Sequence, residues 1–188
     1  AVSRDGKSFA RVSTQPVLSA DQAWEKNALM CPDVIWDEKE KLFKMWYSGG
    51  EQYEPDAIGY ATSKDGIHWI KYTGNPVFSA NRNNPWEQEK VTACQVIPRK
   101  DDYLMFYIGF KNVDFAQIGM ARSKDGITGW ERYPDNPVIR PGKSWDSSAV
   151  YKPYVIPDQN RWLLYYNGRR KDKEQIGIAI HEGLNLGF

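Results

Sequence analysis

Short hydrophobic runs occur along the whole chain, and Gly, Asp-Gly or Asn-Pro separates one run from the next. Runs of this length between turn residues predict β-strands. No apolar stripe recurs at the 3.6-residue spacing of an amphipathic helix. The pattern therefore predicts an all-β protein built from short strands and tight turns.

The strand pattern is also periodic. The segment 58–69, IGYATSKDGIHW, returns at 118–130 as IGMARSKDGITGW. The aspartates of the shared Ser-x-Asp-Gly turn are Asp5, Asp65 and Asp125, which are spaced 60 residues apart. A fixed period of this length is the signature of a repeat architecture.

Each repeat unit predicts four strands. The first strand follows a tryptophan (Trp24, Trp86 or Trp145), and the fourth begins near Trp69 or Trp130. Four short strands per unit are typical of a β-propeller blade. We therefore predict a single propeller domain over 1–188 with four-stranded antiparallel blades. The predicted units are the end of a preceding blade at 1–20, blades at 21–80 and 81–140, and an incomplete blade at 141–188.

Three blades do not close a ring of the usual four to eight. An open fan leaves two sheet edges without partners. Three alternatives remain open: a piece of a larger propeller, a ring completed by self-association with another copy, or a compact partial array.

Composition excludes several classes of function. Lys plus Arg number 25 and Asp plus Glu 24, so the net charge of +1 gives no basic surface for nucleic acid or for an anionic membrane. No apolar run approaches the roughly 20 residues of a membrane span. The two cysteines, Cys31 and Cys94, are expected to be free thiols, and a disulfide between them is the alternative. We expect no metal site and no cofactor, although an ion such as calcium in the central channel stays open.

The segment Met30-Cys-Pro-Asp-Val-Ile35 resembles a motif of the five-bladed-propeller glycoside hydrolases, above all families 32 and 43. Phe43 to Gly50, Ile58 to Trp69 and the Asn-Pro-Val segments fit the same superfamily. The resemblance implies the last three blades of a probable five and a glycosidase-like scaffold. However, Met30 stands where family 32 has its general-acid Glu, which puts a complete catalytic set in doubt.

Strand order predicts which face carries the site. The loop that leads into each first strand lies on the same face as the hairpin between the second and third strands. The Ser-x-Asp-Gly turns lie on the opposite face, where we expect Asp5, Asp65 and Asp125 to stabilise the turns.

Two residues are the catalytic candidates. Asp33 lies on a predicted inner strand, and its alternative role is to bind backbone amides or an Arg in the channel. Glu89 stands where the other blades have Asn27 and Ser148, and its alternative role is that of a solvated loop residue. Glycoside hydrolysis needs two carboxyl groups, about 5–5.5 Å apart for retention and about 6.5–9.5 Å apart for inversion.

Other polar residues on this face are candidates for substrate binding. A guanidinium there can bind a sugar hydroxyl, a uronate or a sulfate by paired hydrogen bonds. The alternative is that they are ordinary surface side chains. The candidates are Glu51, Glu54, Tyr151, Lys152, Arg169 and Arg170.

The predicted function is carbohydrate processing, with acid/base hydrolysis of an oligosaccharide glycosidic bond at the mouth of the propeller channel. The partner is an oligosaccharide or polysaccharide, and neither nucleic acid nor a membrane is expected. The alternatives are a non-catalytic carbohydrate-binding propeller and a structural or interaction propeller. Export of polysaccharide-degrading relatives favours a periplasmic or extracellular location. The sugar, the linkage and the stereochemical outcome do not follow from the residues.

Overall fold

The computed structural model describes residues 1–188, except for the side chain of Glu54. Beyond one 3-10 turn at Ala23–Glu25, all regular structure is β-strand. Within the described residues, no helix is long and apolar enough to cross a membrane.

Three antiparallel sheets follow one another along the chain. The first contains β1 (Ala28–Asp37), β2 (Leu42–Glu51), β3 (Glu54–Ser63), β4 (Trp69–Lys71) and β5 (Phe78–Ser79). The second contains β6 (Lys90–Pro98), β7 (Tyr103–Asn112), β8 (Phe115–Ser123) and β9 (Glu131–Arg132). The third contains β10 (Ala149–Asp158), β11 (Arg161–Arg170) and β12 (Lys173–Glu182).

The strand order is that of propeller blades. In the first sheet β1 pairs with β2, β2 with β3, and β3 with both β4 and β5. The second sheet has the order β6-β7-β8-β9, and the third has the order β10-β11-β12. The chain is therefore all-β with propeller blades, as the repeat predicts. The blade boundaries at 20, 80 and 140 stay a prediction, and so do the three ways of closing the ring.

The tryptophan that precedes the first strand of a blade explains two recurring glycines in that blade. In the first blade the ring of Trp24 lies on the backbone of β2 and β3. A Cβ added at Gly49 or Gly59 would come within 2.6 or 2.7 Å of that ring. Trp86 covers Gly109 and Gly119 in the second blade in the same way. Only a residue without a side chain leaves room for the indole, so the tryptophan and its glycines repeat together.

The Ser-x-Asp-Gly turns hold themselves together as expected. In the first blade the Asp65 carboxylate accepts hydrogen bonds from the backbone N–H groups of Ile67 and His68, each at 2.8 Å, and from the Ser63 hydroxyl. Gly66 has a φ of +73°, a conformation that glycine adopts at little cost. These bonds hold the pKa of Asp65 well below its usual range, with the His68 side chain the largest contributor. The aspartate is therefore explained by the turn alone.

Hydrophobic cores lie between adjacent blades. The core between the first and second sheets includes Trp46, Ile58, Phe78 and Met105, all buried. The Trp46 indole N–H also donates to the Gly126 carbonyl at 2.8 Å, which joins the first blade to the turn of the second. The blades are thus held together by packing between sheets as well as by the chain itself.

Candidate active site

The first strand of each sheet is the innermost one. The Asp33 carboxylate on β1 accepts a hydrogen bond from the Val96 N–H on β6 at 2.7 Å. The Gln95 side chain on β6 accepts from the Val155 N–H on β10 and donates to the Val155 carbonyl. These bonds join β1, β6 and β10 side by side, so the three strands line the channel.

Each inner strand carries the same irregularity. The pairing with the second strand shifts between Met30 and Asp33 on β1, and it shifts at the equivalent places on β6 and β10. One residue in each shifted segment has positive φ, namely Cys31 (52°), Ala93 (43°) and Lys152 (51°). Residues other than glycine rarely adopt this backbone conformation. A bulge of this kind redirects side chains, and bulges are common beside functional sites.

Asp33 has the position in its blade that Gln95 has in the next one. The strand pairings place Asp33 opposite Trp46 and Gln95 opposite Phe106, immediately after the bulge in each case. Both side chains accept from a backbone N–H of the following inner strand. Burial raises the pKa of Asp33, and the Val96 N–H opposes that rise. The structure thus favours the alternative role, in which Asp33 joins two blades.

Glu89 lies on the opposite face from the turns, directly before β6. Its backbone N–H donates to the Phe110 carbonyl at 2.9 Å, and the residue is exposed. At the equivalent places the Asn27 side chain accepts from the Gln52 N–H at 2.9 Å, and the Ser148 hydroxyl accepts from the Lys171 N–H at 3.3 Å. No such bond forms at Glu89, so its carboxylate has no hydrogen-bond partner among the described residues.

The structure does not bring Asp33 and Glu89 together. Asp33 contacts Val96, which lies seven residues after Glu89 along the β6 segment. At about 3.3 Å per residue this separates the two sites by roughly 20 Å. One glycosidic bond is spanned by carboxyl groups about 5–9.5 Å apart. The two residues therefore cannot act as the acid and base on a single bond, and a catalytic role for Asp33 stays a prediction that its geometry does not favour.

Three of the predicted substrate-binding residues already have polar partners. The Lys26 ammonium contacts Glu51 at 3.3 Å, and the Tyr151 hydroxyl lies beside Glu174. Burial is the main reason that the pKa of Tyr151 rises to about 12. Arg169 donates to the Asp114 carbonyl at 2.7 Å, which joins the third blade to the second on this face.

The remaining binding candidates are Lys152, Arg170 and Glu54. Lys152 is the exposed bulge residue of β10. Arg170 is exposed at the end of β11, and its guanidinium has no ion pair within the described residues. Glu54 falls outside the described side chains. No group of three or more His, Cys, Asp or Glu residues that could hold a metal ion occurs in the part of the chain that the structure describes.

Sequence reasoning missed the partners of the buried blade acids. Glu25 accepts hydrogen bonds from the Tyr47 hydroxyl at 2.7 Å and from the Lys71 ammonium at 2.6 Å. Glu87 accepts from the Tyr107 hydroxyl and pairs with Arg132. The signal was present, because a cation stands two residues after the fourth-strand tryptophan in both units: Lys71 follows Trp69, and Arg132 follows Trp130. These carboxylates are fully buried and bonded within their own blades, so they belong to the fold.

No family model matches the chain. An uncharacterised protein of Mycobacterium tuberculosis is 28% identical over 190 residues, covering 97% of this chain and 60% of that protein. A 1,2-beta-oligomannan phosphorylase of a Thermoanaerobacter species is 33% identical over 136 residues, covering 65% of this chain and 43% of the enzyme. The chain thus spans about 60% of the length of the first of these relatives.

Solved structures that are similar to this chain also include glycoside hydrolases. A protein described as a glycoside hydrolase, and BT0996 in its RGII complex, each superpose with a TM-score of 0.74 at 26% sequence identity. Each match covers 90% of this chain and 51% of the solved one. A family 117 glycoside hydrolase of Zobellia galactanivorans shares the fold, with a TM-score of 0.67 at 18% identity over 83% of this chain and 53% of that protein. Blade architecture, sequence and superposition agree, and this chain is related to the superfamily of propeller glycoside hydrolases.

Proposed function

We propose that this chain forms part of a glycan-active domain that cleaves a glycosidic bond at the channel mouth by acid/base catalysis. Glu89 provides one of the two carboxyl groups. The observation that carries this proposal is the free carboxylate of Glu89 at a position where the other blades use Asn27 and Ser148 to hold a hairpin. A residue that departs from the repeat, and has no bond within the fold, is available for a substrate.

A carboxyl group at this position can protonate the leaving oxygen or activate a nucleophile. The second carboxyl group has to lie within about 5–9.5 Å of the first. Asp33 is too distant to supply it. The relatives contain sequence beyond the length matched here, which is one source of a second group.

A second reaction of the same class is phosphorolysis, favoured by the match to an oligomannan phosphorylase. In hydrolysis a water oxygen attacks the anomeric carbon, while in phosphorolysis a phosphate oxygen does so. The bond from the anomeric carbon to the glycosidic oxygen breaks in both, and the leaving sugar takes a proton from the general acid. The two reactions are distinguished by their products, a free sugar or a sugar phosphate.

The non-catalytic alternatives are supported by Met30. This apolar residue stands at the place where the resemblance to family 32 expects a general acid. A propeller that lacked acid catalysis could bind an oligosaccharide without cleaving it, or serve as a scaffold for another protein. These alternatives predict no turnover at all.

Replacing Glu89 with glutamine is expected to lower turnover by about 10²–10⁴, because general acid–base catalysis contributes factors of that size. The melting temperature should not change, since the Glu89 side chain has no partner in the described part of the fold. The assay uses β-1,2-linked mannooligosaccharides, with and without inorganic phosphate, and separates products by chromatography. The matched control is Glu38→Gln, an exposed carboxylate between β1 and β2 on the opposite face.

Wild-type turnover in Glu89→Gln would refute the assignment of Glu89. Asp33→Asn serves as a second test, because asparagine retains an acceptor for the Val96 N–H. A large loss of turnover in Asp33→Asn, with an unchanged melting temperature, would instead indicate that Asp33 on the inner strand takes part in the reaction. Absence of turnover with every probe, in a protein that supplies both carboxyl groups, would favour the binding or scaffold alternatives.

A further inference from the structure

Tyr53 is the most exposed of the large hydrophobic side chains, with 81% of its surface accessible. Its ring contacts no other aromatic ring, and its hydroxyl has no hydrogen bond among the described residues. Several other exposed apolar side chains, such as Val34 on β1 and Ile176 on β12, lie on the sheets at the two ends of the blade array. Tyr53 lies instead at the tip of the β2–β3 hairpin, on the face that carries Glu89.

The backbone at this tip is not suited to tyrosine. Glu51 pairs with Glu54, so Gln52 and Tyr53 form a two-residue loop. Tyr53 has a φ of +64°, a conformation that two-residue loops usually assign to Gly or Asn. An L-residue with a side chain adopts this conformation only at a cost in free energy. The fold therefore gives no reason for a bulky aromatic residue at this position.

The hairpin tip is nevertheless held in place. The Asn27 side chain accepts from the Gln52 N–H at 2.9 Å. The Lys26 ammonium contacts Glu51 at 3.3 Å and Asp56 at 2.7 Å. Each of these exposed contacts contributes little by itself. Together they join the hairpin to the segment that leads into the inner strand, so the tip presents its side chain from a supported position.

The equivalent tip of the second blade also exposes an apolar residue. Val113 lies between β7 and β8 and is 62% exposed. The third blade has Lys171 and Asp172 at this place, both polar. The two apolar tips therefore belong to the first two blades, and Glu89 lies at the start of the second.

We propose that Tyr53 is a sugar-stacking residue of an outer subsite on this face. Its ring packs against the apolar C–H surface of a pyranose unit, in an oligosaccharide whose reacting bond lies at Glu89. A tyrosine combines a large apolar face with a polar end that stays in water, which suits a wet site. Few rotamers are lost when such a side chain is covered, which favours its use in recognition. This inference rests on the proposed function.

The test is calorimetric titration with β-1,2-linked mannooligosaccharides from the disaccharide to the pentasaccharide. Tyr53→Ala is expected to weaken binding of the pentasaccharide about 10-fold, the equivalent of about 1.4 kcal/mol, and to leave binding of the disaccharide unchanged. Tyr53→Phe, which keeps the ring, should retain wild-type affinity. The control Ile70→Ala removes a side chain that is 75% exposed on β4, away from this face, and should change nothing. All variants should melt at the wild-type temperature.

The outcomes separate this inference from the function on which it rests. Equal affinity of wild type and Tyr53→Ala for the pentasaccharide would overturn the stacking role and leave the proposed function intact. An equal loss at every oligosaccharide length would place the ring at the reacting bond, which overturns the outer subsite. If wild type bound none of these oligosaccharides, both proposals would fail for this class of ligand.

Discussion

Replacing Glu87 with alanine is expected to lower the free energy of unfolding by about 3–5 kcal/mol, the usual cost of breaking a buried ion pair. Glu87 is fully buried, and its carboxylate accepts from the Tyr107 hydroxyl at 2.9 Å and from the Asn84 amide at 3.0 Å. It also pairs with the Arg132 guanidinium. Alanine would leave the buried Tyr107 hydroxyl, the asparagine amide and the partly exposed guanidinium without this acceptor.

The measurement is urea-induced unfolding of wild type, Glu87→Ala and a control. The control is Glu131→Ala, which breaks the exposed pair between Glu131 and Arg122 at 2.9 Å. Exposed pairs contribute about 0–1 kcal/mol, so this variant should unfold close to wild type. Similar losses in both variants would show that the buried acid does not stabilise its blade in the way described.

Replacing Trp46 with alanine is expected to cost a similar amount, about 3–5 kcal/mol. Trp46 is fully buried between the first two blades and lies 5.3 Å from Tyr60 and 6.1 Å from Tyr103, measured between ring centroids. Its indole N–H donates to the Gly126 carbonyl of the next blade. The substitution would remove both the packing and the hydrogen bond that join the two sheets.

The matched control is Trp36→Ala. Trp36 is 40% exposed and packs on Phe43 at 4.7 Å within its own sheet. We expect a loss of about 1 kcal/mol for it, because a partly exposed side chain loses less transfer free energy and leaves no closed cavity. Thermal unfolding of the two variants measures the difference. Equal shifts in melting temperature would mean that Trp46 does not couple the blades.

The periodic part of the structure could be predicted from the sequence. The spacing of Asp5, Asp65 and Asp125 indicated the repeat, because a turn with its own side-chain hydrogen bonds needs the same residues in each unit. The strands followed from the turns between them. The inner-strand bulges could not be predicted, because Cys31 and Lys152 adopt positive φ although neither is a residue that favours it.

The candidate site could be predicted only in part. Glu89 could be identified as a candidate because it breaks the repeat, in which the other blades have Asn27 and Ser148 at this position. The sequence could not tell whether Asp33 is catalytic or binds a backbone amide. The Asp33 carboxylate and the Gln95 amide oxygen both accept a hydrogen bond from a backbone N–H of the next inner strand, although the two residues differ in sequence. Tyr53 gave no signal by itself, because exposure and the φ of a loop residue depend on how the two strands of the hairpin pair.

The most direct test of the central claim is amide hydrogen–deuterium exchange with and without a β-1,2-linked mannooligosaccharide. The claim is that the glycan binds on the face that carries Glu89. We therefore predict slower exchange at residues 26–30, 51–54, 88–92 and 111–115 when the ligand is present. The turns at 63–69 and 123–130 should exchange at the same rate in both samples. Protection confined to those turns would place the ligand on the opposite face and contradict the account.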